Sequence, residues 1–418
     1  MQRQKKIWTI IMIILAGYIC FGIFSWIVRK NGMVYPHGSF LFFPVDQYMD
    51  FFNVNQMVTG LRPYVDYYST YPPLILAIAY LFSLMADYKT YIPYEIVYTT
   101  EGKISFILFI GMFTAIIFVF LCIIFLREKE LFKHKILIPP VVWILIFTAP
   151  YVWMLDRGNY LLVAIVCYLF FAYYYDKNDT AAAIFLGLAA AIKIYPLLIF
   201  FIFFLDKKWK PLLIACGTVF ITSALTLIMF KGGYIQNIKE IICALFAFGG
   251  GYTNEVPNVY FSVGLSSILR LPFVLWNNLI VPENVHVMRI YFVVGSALAL
   301  WTLWNVWREK LAWKRVMAMT ALMVFLIPNS YDYNLTFLFP AIVLFLIADK
   351  SEKKSVDIIY LVLNGLLMIP KAYYYMLAPH GIGIQIVINA ALLLGMILYY
   401  NIGDNSTRVK RKLLKTNS

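Results

Sequence analysis

Charge is scarce in this chain. Of 418 residues, 35 are basic and 21 acidic, so charged side chains make up 13% against 62% hydrophobic. A composition this apolar excludes an ordinary soluble globular protein, and no polar stretch is long enough to fold as a separate domain. Cysteine is scarce too. Cys20, Cys122, Cys167, Cys216 and Cys243 lie mostly within apolar segments and lack CxxC or other ligand spacing, which excludes a disulfide framework and a zinc site of that kind. The histidines follow no metal-binding pattern either: His134 and His286 sit beside charged or interfacial positions. Internal repeats are also missing, since the two halves show no convincing self-similarity.

What the chain has instead is apolar runs along its whole length, the mark of a polytopic membrane protein. The expected fold is all-α, a single transmembrane domain over residues 1–418 with about ten transmembrane helices plus re-entrant or interfacial helices. Spans of adequate length fall at about 7–28, 104–126, 136–154, 160–175, 211–230, 285–307, 311–327, 334–348, 356–376 and 382–400. The first follows Arg3, Lys5 and Lys6, but its apolar stretch is too long for a signal peptide and no cleavage site follows, so it reads as an uncleaved anchor. Basic residues set the orientation. Segments 1–6, 127–135, 176–179, 206–210, 308–315, 349–354 and 401–418 hold 23 of the 35, the other loops and span ends hold 11, and Lys193 lies inside an apolar run. Cytoplasmic flanks carry such an excess, so both termini are expected in the cytoplasm and the long loops 29–103 and 231–284 outside. The net charge of +14 is therefore a topology signal, not a footprint for nucleic acid.

Two stretches resist a simple span. Residues 73–86 offer only about 14 apolar positions behind Pro72-Pro73, which predicts a re-entrant or interfacial helix. Residues 180–205 are flanked on both sides by cytoplasmic-type polar segments, DKND and DKKWK, with Lys193 and Pro196 at the centre. They read as a helical hairpin whose tip carries Lys193 into the membrane, or as two short crossings. Residues 259–281 read as a partly apolar, re-entrant segment around Arg270.

Under this topology the polar residues gather on the outer side: Asp46 and Asp50, the Tyr71-Pro72-Pro73 turn, Asp156 to Asn159, Asn254 to Asn258, and Asn329 to Tyr333. Ionisable groups at membrane depth are costly and mark functional cavities. Asp46 and Asp50 stand four apart in a stretch that can be helical, which would put both on one face. Two like charges that close favour proton uptake by one of them near neutral pH, which suits a general base. Arg157 in the DRGN turn suits either a phosphate, aided by the helix start that follows, or an ion pair with Asp156. Lys193 cannot easily snorkel from a hairpin tip, so it is a candidate for a phosphate or a carboxylate. Lys371 beside Tyr373 to Tyr375 reads as a snorkelling cation in an aromatic belt.

The ordered run Asp46…Gly60-Leu61-Arg62-Pro63-Tyr64…Tyr71-Pro72-Pro73-Leu74 resembles the first outer loop of the GT-C class of membrane glycosyltransferases, and glycosyltransferase family 87 most of all. Gly158-Asn159, then Gly187 to Lys193 with Pro196-Leu197 and Lys207-Lys208-Trp209, then Pro328-Asn329-Ser330 with Tyr333 and Phe339-Pro340-Ala341, continue the resemblance over roughly residues 40–345. The family often has tyrosine where Asp50 stands, and commonly a Gln between the Gly and Asn of the second motif.

The resemblance implies a GT-C-like membrane enzyme that moves a hexose, mannose-like, from a polyprenyl-phosphate-sugar donor to a glycan or glycolipid acceptor on the outer face of the cell membrane, with inversion. It puts Asp46 at the position of the catalytic base, with Asp50 the alternative. Substrate-binding roles fall to Arg62, Tyr64, Tyr71, Arg157, Asn159, Lys193, Arg270, Asn329, Tyr331 and Asp332. Cations among them would steady the departing phosphate, so neither a cofactor nor a divalent metal is expected. Membrane lipids are partners; nucleic acid is not. A lipid-linked-sugar transporter or flippase, or a polysaccharide polymerase, is the competing class.

Overall fold

The computed structural model describes residues 3–31, 47–128, 132, 134–250, 262–277, 285–348, 354–371 and 384–403. Helices dominate them, and among the described residues there is no strand, only an isolated antiparallel bridge between Ser262 and Tyr331. Four helices are long and apolar enough to cross a membrane, at Arg3–Ile27, Thr100–Arg127, Trp209–Leu227 and Val287–Arg308. A fifth candidate is broken. The expected span 136–154 is two helices, bent by 65° between Ile146 and Ala149. Pro150 explains the break, because it has no N–H to bond the Ile146 carbonyl and its ring would clash there, while its fixed φ suits the first turn of the next helix.

In chain order the helices are α1 (Arg3–Lys30), α2 (Met49–Thr59), α3 (Pro63–Tyr67), α4 (Pro73–Ser83), α5 (Thr100–Arg127), α6 (Ile138–Ile146), α7 (Ala149–Arg157), α8 (Leu161–Tyr174), α9 (Asp179–Ile192), α10 (Phe201–Leu205), α11 (Trp209–Leu227) and α12 (Tyr234–Gly250). There follow α13 (Leu265–Asn277), α14 (Val285–Arg308), α15 (Ala312–Leu326), α16 (Leu338–Ile347), α17 (Lys354–Met368) and α18 (Ile384–Leu398). Other expected spans take the form of shorter apolar helices, such as α8 and the segment Asp332–Ile347 that contains α16. The segment expected to lie flat or re-enter at 73–86 is α4, which packs against α2, α9 and α11.

Residues 180–205 run out and back, a path that fits both the hairpin and the pair of short crossings expected there. Asn178 caps the start of α9 by accepting from the Ala181 N–H at 3.0 Å. α9 ends at Ile192, Lys193 is extended, and Tyr195–Phe200 returns as a 3₁₀ turn that starts with Pro196 near its head. At the far side of the return, Lys208 Nζ meets Asp179 Oδ1 at 2.7 Å. The two ends of the segment are therefore side by side and Lys193 is the tip.

The hairpin divides the bundle into a base end and a tip end. At the base end Arg315 forks onto Asp206, Arg3 pairs with Glu128 at 2.6 Å, and buried Lys6 faces Asp357 at 3.7 Å. Trp313 joins these groups by stacking on Phe345 and Tyr360, and Tyr399 lies against Tyr360. The start of α1 and the end of α18 thus share the base end. Between the two ends one buried apolar core runs through the bundle, from Ile7 to Tyr400.

Candidate functional site

At the tip end two left-handed turns abut. Tyr48, just before α2, has φ 63°, and Gly158, just after α7, has φ +63°. The Tyr48 N–H donates to the Asp156 carbonyl at 2.7 Å. A Cβ on Gly158 would fall 2.8 Å from Phe51 Cβ and 3.1 Å from the Tyr48 carbonyl, so only glycine allows both the turn and the approach.

This contact fixes the first turn of α2 against the end of α7. Arg157 Nη2 donates to Asp50 Oδ1 at 2.7 Å and Asn159 Nδ2 donates to Asp50 Oδ2 at 2.7 Å. Asn159 Oδ1 in turn accepts from the Leu161 N–H at 2.8 Å, which orients the amide. Arg157, expected on a phosphate or on Asp156, is thus bonded to Asp50, 107 residues away in the chain. One turn further along α2, buried Asn55 accepts from Tyr160 OH at 2.5 Å and donates to Tyr88 OH at 3.1 Å. Two consecutive residues, Asn159 and Tyr160, therefore grip α2 at two places.

Asp50 sits in the first turn of α2, which starts at Met49 behind the left-handed Tyr48. Asp46 itself lies outside the described residues, as does the stretch Asn254 to Asn258.

The hairpin tip completes the recess. Lys193 Nζ lies 4.7 Å from the centre of the Tyr71 ring, a cation–π distance, and the Asp50 charge acts on it. Tyr333 feels Asp50, Tyr331, Tyr195 and Tyr71, so these four tyrosines and Asp50 are close neighbours. Asp50, Tyr71, Arg157, Lys193, Tyr195, Tyr331 and Tyr333 are all half-buried. Polar groups that deep, with part of their surface still open, form a cluster that a ligand could reach. Trp153 of α7 holds the far wall, with its ring 6.0 Å from Tyr333 in an edge-on contact.

Other expected site residues are placed differently. Tyr64 is fully buried and works as a support: its hydroxyl donates to the Tyr71 carbonyl at 3.1 Å and its ring meets Phe230 at 5.7 Å. Arg62 pairs with Asp66 at 3.4 Å on a half-exposed surface. Arg270 is buried in α13, with Nη2 donating to Met288 Sδ at 3.0 Å at the start of α14. Asn329 is buried with neither amide atom hydrogen-bonded, beside Ser330, whose N–H donates to Ser262 Oγ at 2.8 Å. Asp332 accepts from Asn389 Nδ2 at 3.0 Å and interacts with Lys371, so it faces α17 and α18. The Lys371 ammonium donates to the Leu366 and Ile369 carbonyls at 2.5 and 3.3 Å and closes the end of α17.

Tyr195, Tyr333 and Asn55 join this site without having been singled out as binding residues. Tyr195 precedes Pro196 at the break and Asn55 is a lone amide in the apolar face of α2, and those were the signals available. Among the described residues no three His, Cys, Asp or Glu side chains are grouped so as to hold a metal ion.

A model of glycosyltransferase family 87 matches residues 69–328, well over half of the chain and inclusive of Tyr71, Arg157, Asn159 and Lys193. No curated protein and no solved structure matches the chain.

Proposed function

Since the chain belongs to glycosyltransferase family 87 and is a membrane-embedded glycosyltransferase, we propose that it transfers a mannose-like hexose from a polyprenyl-phosphate sugar to a glycan or glycolipid acceptor. The observation that carries this reading is the half-open recess at the hairpin tip, where one carboxylate, one guanidinium, one ammonium and four tyrosines meet. Such a set suits a donor with an anionic leaving group and a sugar rich in hydroxyls.

In the proposed reaction an aspartate takes the proton of an acceptor hydroxyl as its oxygen attacks the anomeric carbon. The bond from that carbon to the phosphate oxygen breaks, the polyprenyl phosphate leaves, and the configuration inverts. Lys193 and Arg157 are the cations nearest the recess and would stabilise the charge that develops on the leaving phosphate. That arrangement needs no divalent metal. Asp46 is the favoured base. Asp50 already accepts from Arg157 on one oxygen and from Asn159 on the other, so it is better suited to hold Arg157 in place. The recess would open on the outer face, with the base end and both termini in the cytoplasm and about ten crossings besides the hairpin, in keeping with the basic residues.

The test is transfer by the purified protein in detergent, offered a panel of polyprenyl-phosphate sugars, with Asp46→Asn and Asp50→Asn beside the unaltered chain. Product formed in micelles, where no compartments exist, separates an enzyme from a flippase. Loss of product with Asp46→Asn is expected. Full activity in both variants would end the aspartate-base mechanism.

A further inference from the structure

Helix α12 takes no part in the recess, and its outward face is unlike that of a helix in water. Ile235, Ile238, Ile242, Leu245 and Phe246 recur at helical spacing within one arc of about 100°. All five are exposed, Ile235 at 87% and Phe246 at 79%. The opposite face is buried through Asn237 and Ala244; Asn237 Nδ2 donates to the Phe230 carbonyl at 3.3 Å, and the helix packs on α3. Gln236, Asn237, Lys239 and Glu240 interrupt it, and it is not among the helices apolar enough to span.

The surrounding surface says what covers this stripe. Tyr234 OH at the start of α12 donates to the Ala224 carbonyl near the end of α11, at 3.1 Å. α11 is a membrane-span candidate whose Leu213, Phe220, Ile221, Leu225 and Ile228 are likewise exposed. Apolar surface therefore continues from a helix that crosses the bilayer onto one too polar to cross it. Exposed Lys231 and Lys239 stand beside the stripe, where headgroup phosphates would meet them. We infer that α12 lies flat in the membrane interface at the tip end, its Ile, Leu and Phe stripe sunk among the first acyl carbons.

The contact has a path to the recess. α12 presses on α3, Tyr64 of α3 meets Phe230 and donates to the Tyr71 carbonyl, and the Tyr71 ring carries the Lys193 ammonium. The bilayer surface thereby supports the wall that faces Lys193.

The measurement is one of depth and needs no transfer assay, so its failure leaves the enzymatic reading untouched. Phe246→Cys and Gln236→Cys are each made in the full-length chain with its own five cysteines replaced by alanine, labelled with bimane and placed in phosphatidylcholine–phosphatidylglycerol nanodiscs. At 246, nitroxide on the upper acyl chain should quench roughly three-fold more than aqueous iodide, and at 236 the order should reverse. Iodide quenching at both sites would overturn the proposal. Should the replaced cysteines prevent folding, hydroxyl-radical footprinting of the unaltered chain in the same nanodiscs gives the same answer. Ile242 and Phe246 should be protected, and oxidation of Phe246 as fast as in the denatured chain would refute it.

Discussion

Two arginine–aspartate pairs stand at opposite ends of the same bundle and are bonded differently. At the base end Arg315 forks onto Asp206 with both nitrogens, at 2.8 and 2.6 Å, and Tyr175 OH adds a third donor at 3.5 Å. At the tip end Arg157 reaches only one oxygen of Asp50, and Asn159 takes the other. Exposure does not separate them, since the side chains are 10% and 20% accessible in the first pair and 18% and 19% in the second. The bonding does. A bidentate pair engages both terminal nitrogens of the guanidinium and ties α15 to the end of the hairpin. A carboxylate held by two single donors keeps half of its acceptor sites unused among the described residues. The first arrangement holds helices together; the second leaves charge where a ligand could reach it.

Substitutions at the two ends should separate accordingly, and the largest difference is expected between two lysines. Lys193→Met should lower kcat/KM for transfer by about 10²–10³-fold, as the loss of one preorganised charge does, whereas Lys208→Met should stay within about two-fold. Equal losses in a purified transfer assay would erase the distinction between the ends. Next come the aspartates themselves. Asp206→Asn should cost about 2 kcal/mol of stability, less than for a fully buried pair because it is partly solvated, and leave the folded enzyme active. Asp50→Asn should cost activity well beyond its change in melting temperature, read by thermal unfolding beside the kinetics. Gly158→Ala should cost about 1–3 kcal/mol through the left-handed turn and the crowding of Phe51, with activity falling alongside because Asp50 shifts from Arg157. Smallest of all, Asn178→Ala at the base end should cost about 1 kcal/mol through its lost cap and leave kcat unchanged.

The hairpin was legible because its signal is local: two charged flanks of the same type, and a lysine and a proline between them. The break within 136–154 was written locally as well, in Pro150, but hydropathy averaged over a span conceals it. The partner of Asp50 was not legible. Arg157 lies 107 residues away, whereas spacing along the chain points only to near neighbours such as Asp46, four residues off. Tyr195 and Tyr333 were hidden by abundance, since 31 tyrosines leave no single one conspicuous until tertiary packing gathers a few around a charge. The helix-end role of Lys371 was not legible either, since only the fold brings its ammonium back to the Leu366 and Ile369 carbonyls.

The hairpin also works as a ruler. Both of its ends are pinned at the base by Asp179 and Lys208, so the height of the ammonium at Lys193 is set by the 14 residues of α9. One residue more would raise it by about 1.5 Å and swing it by about 100°, off the Tyr71 ring and away from Asp50. In this region the count of residues is a functional quantity, and a single deletion there should be more damaging than most substitutions.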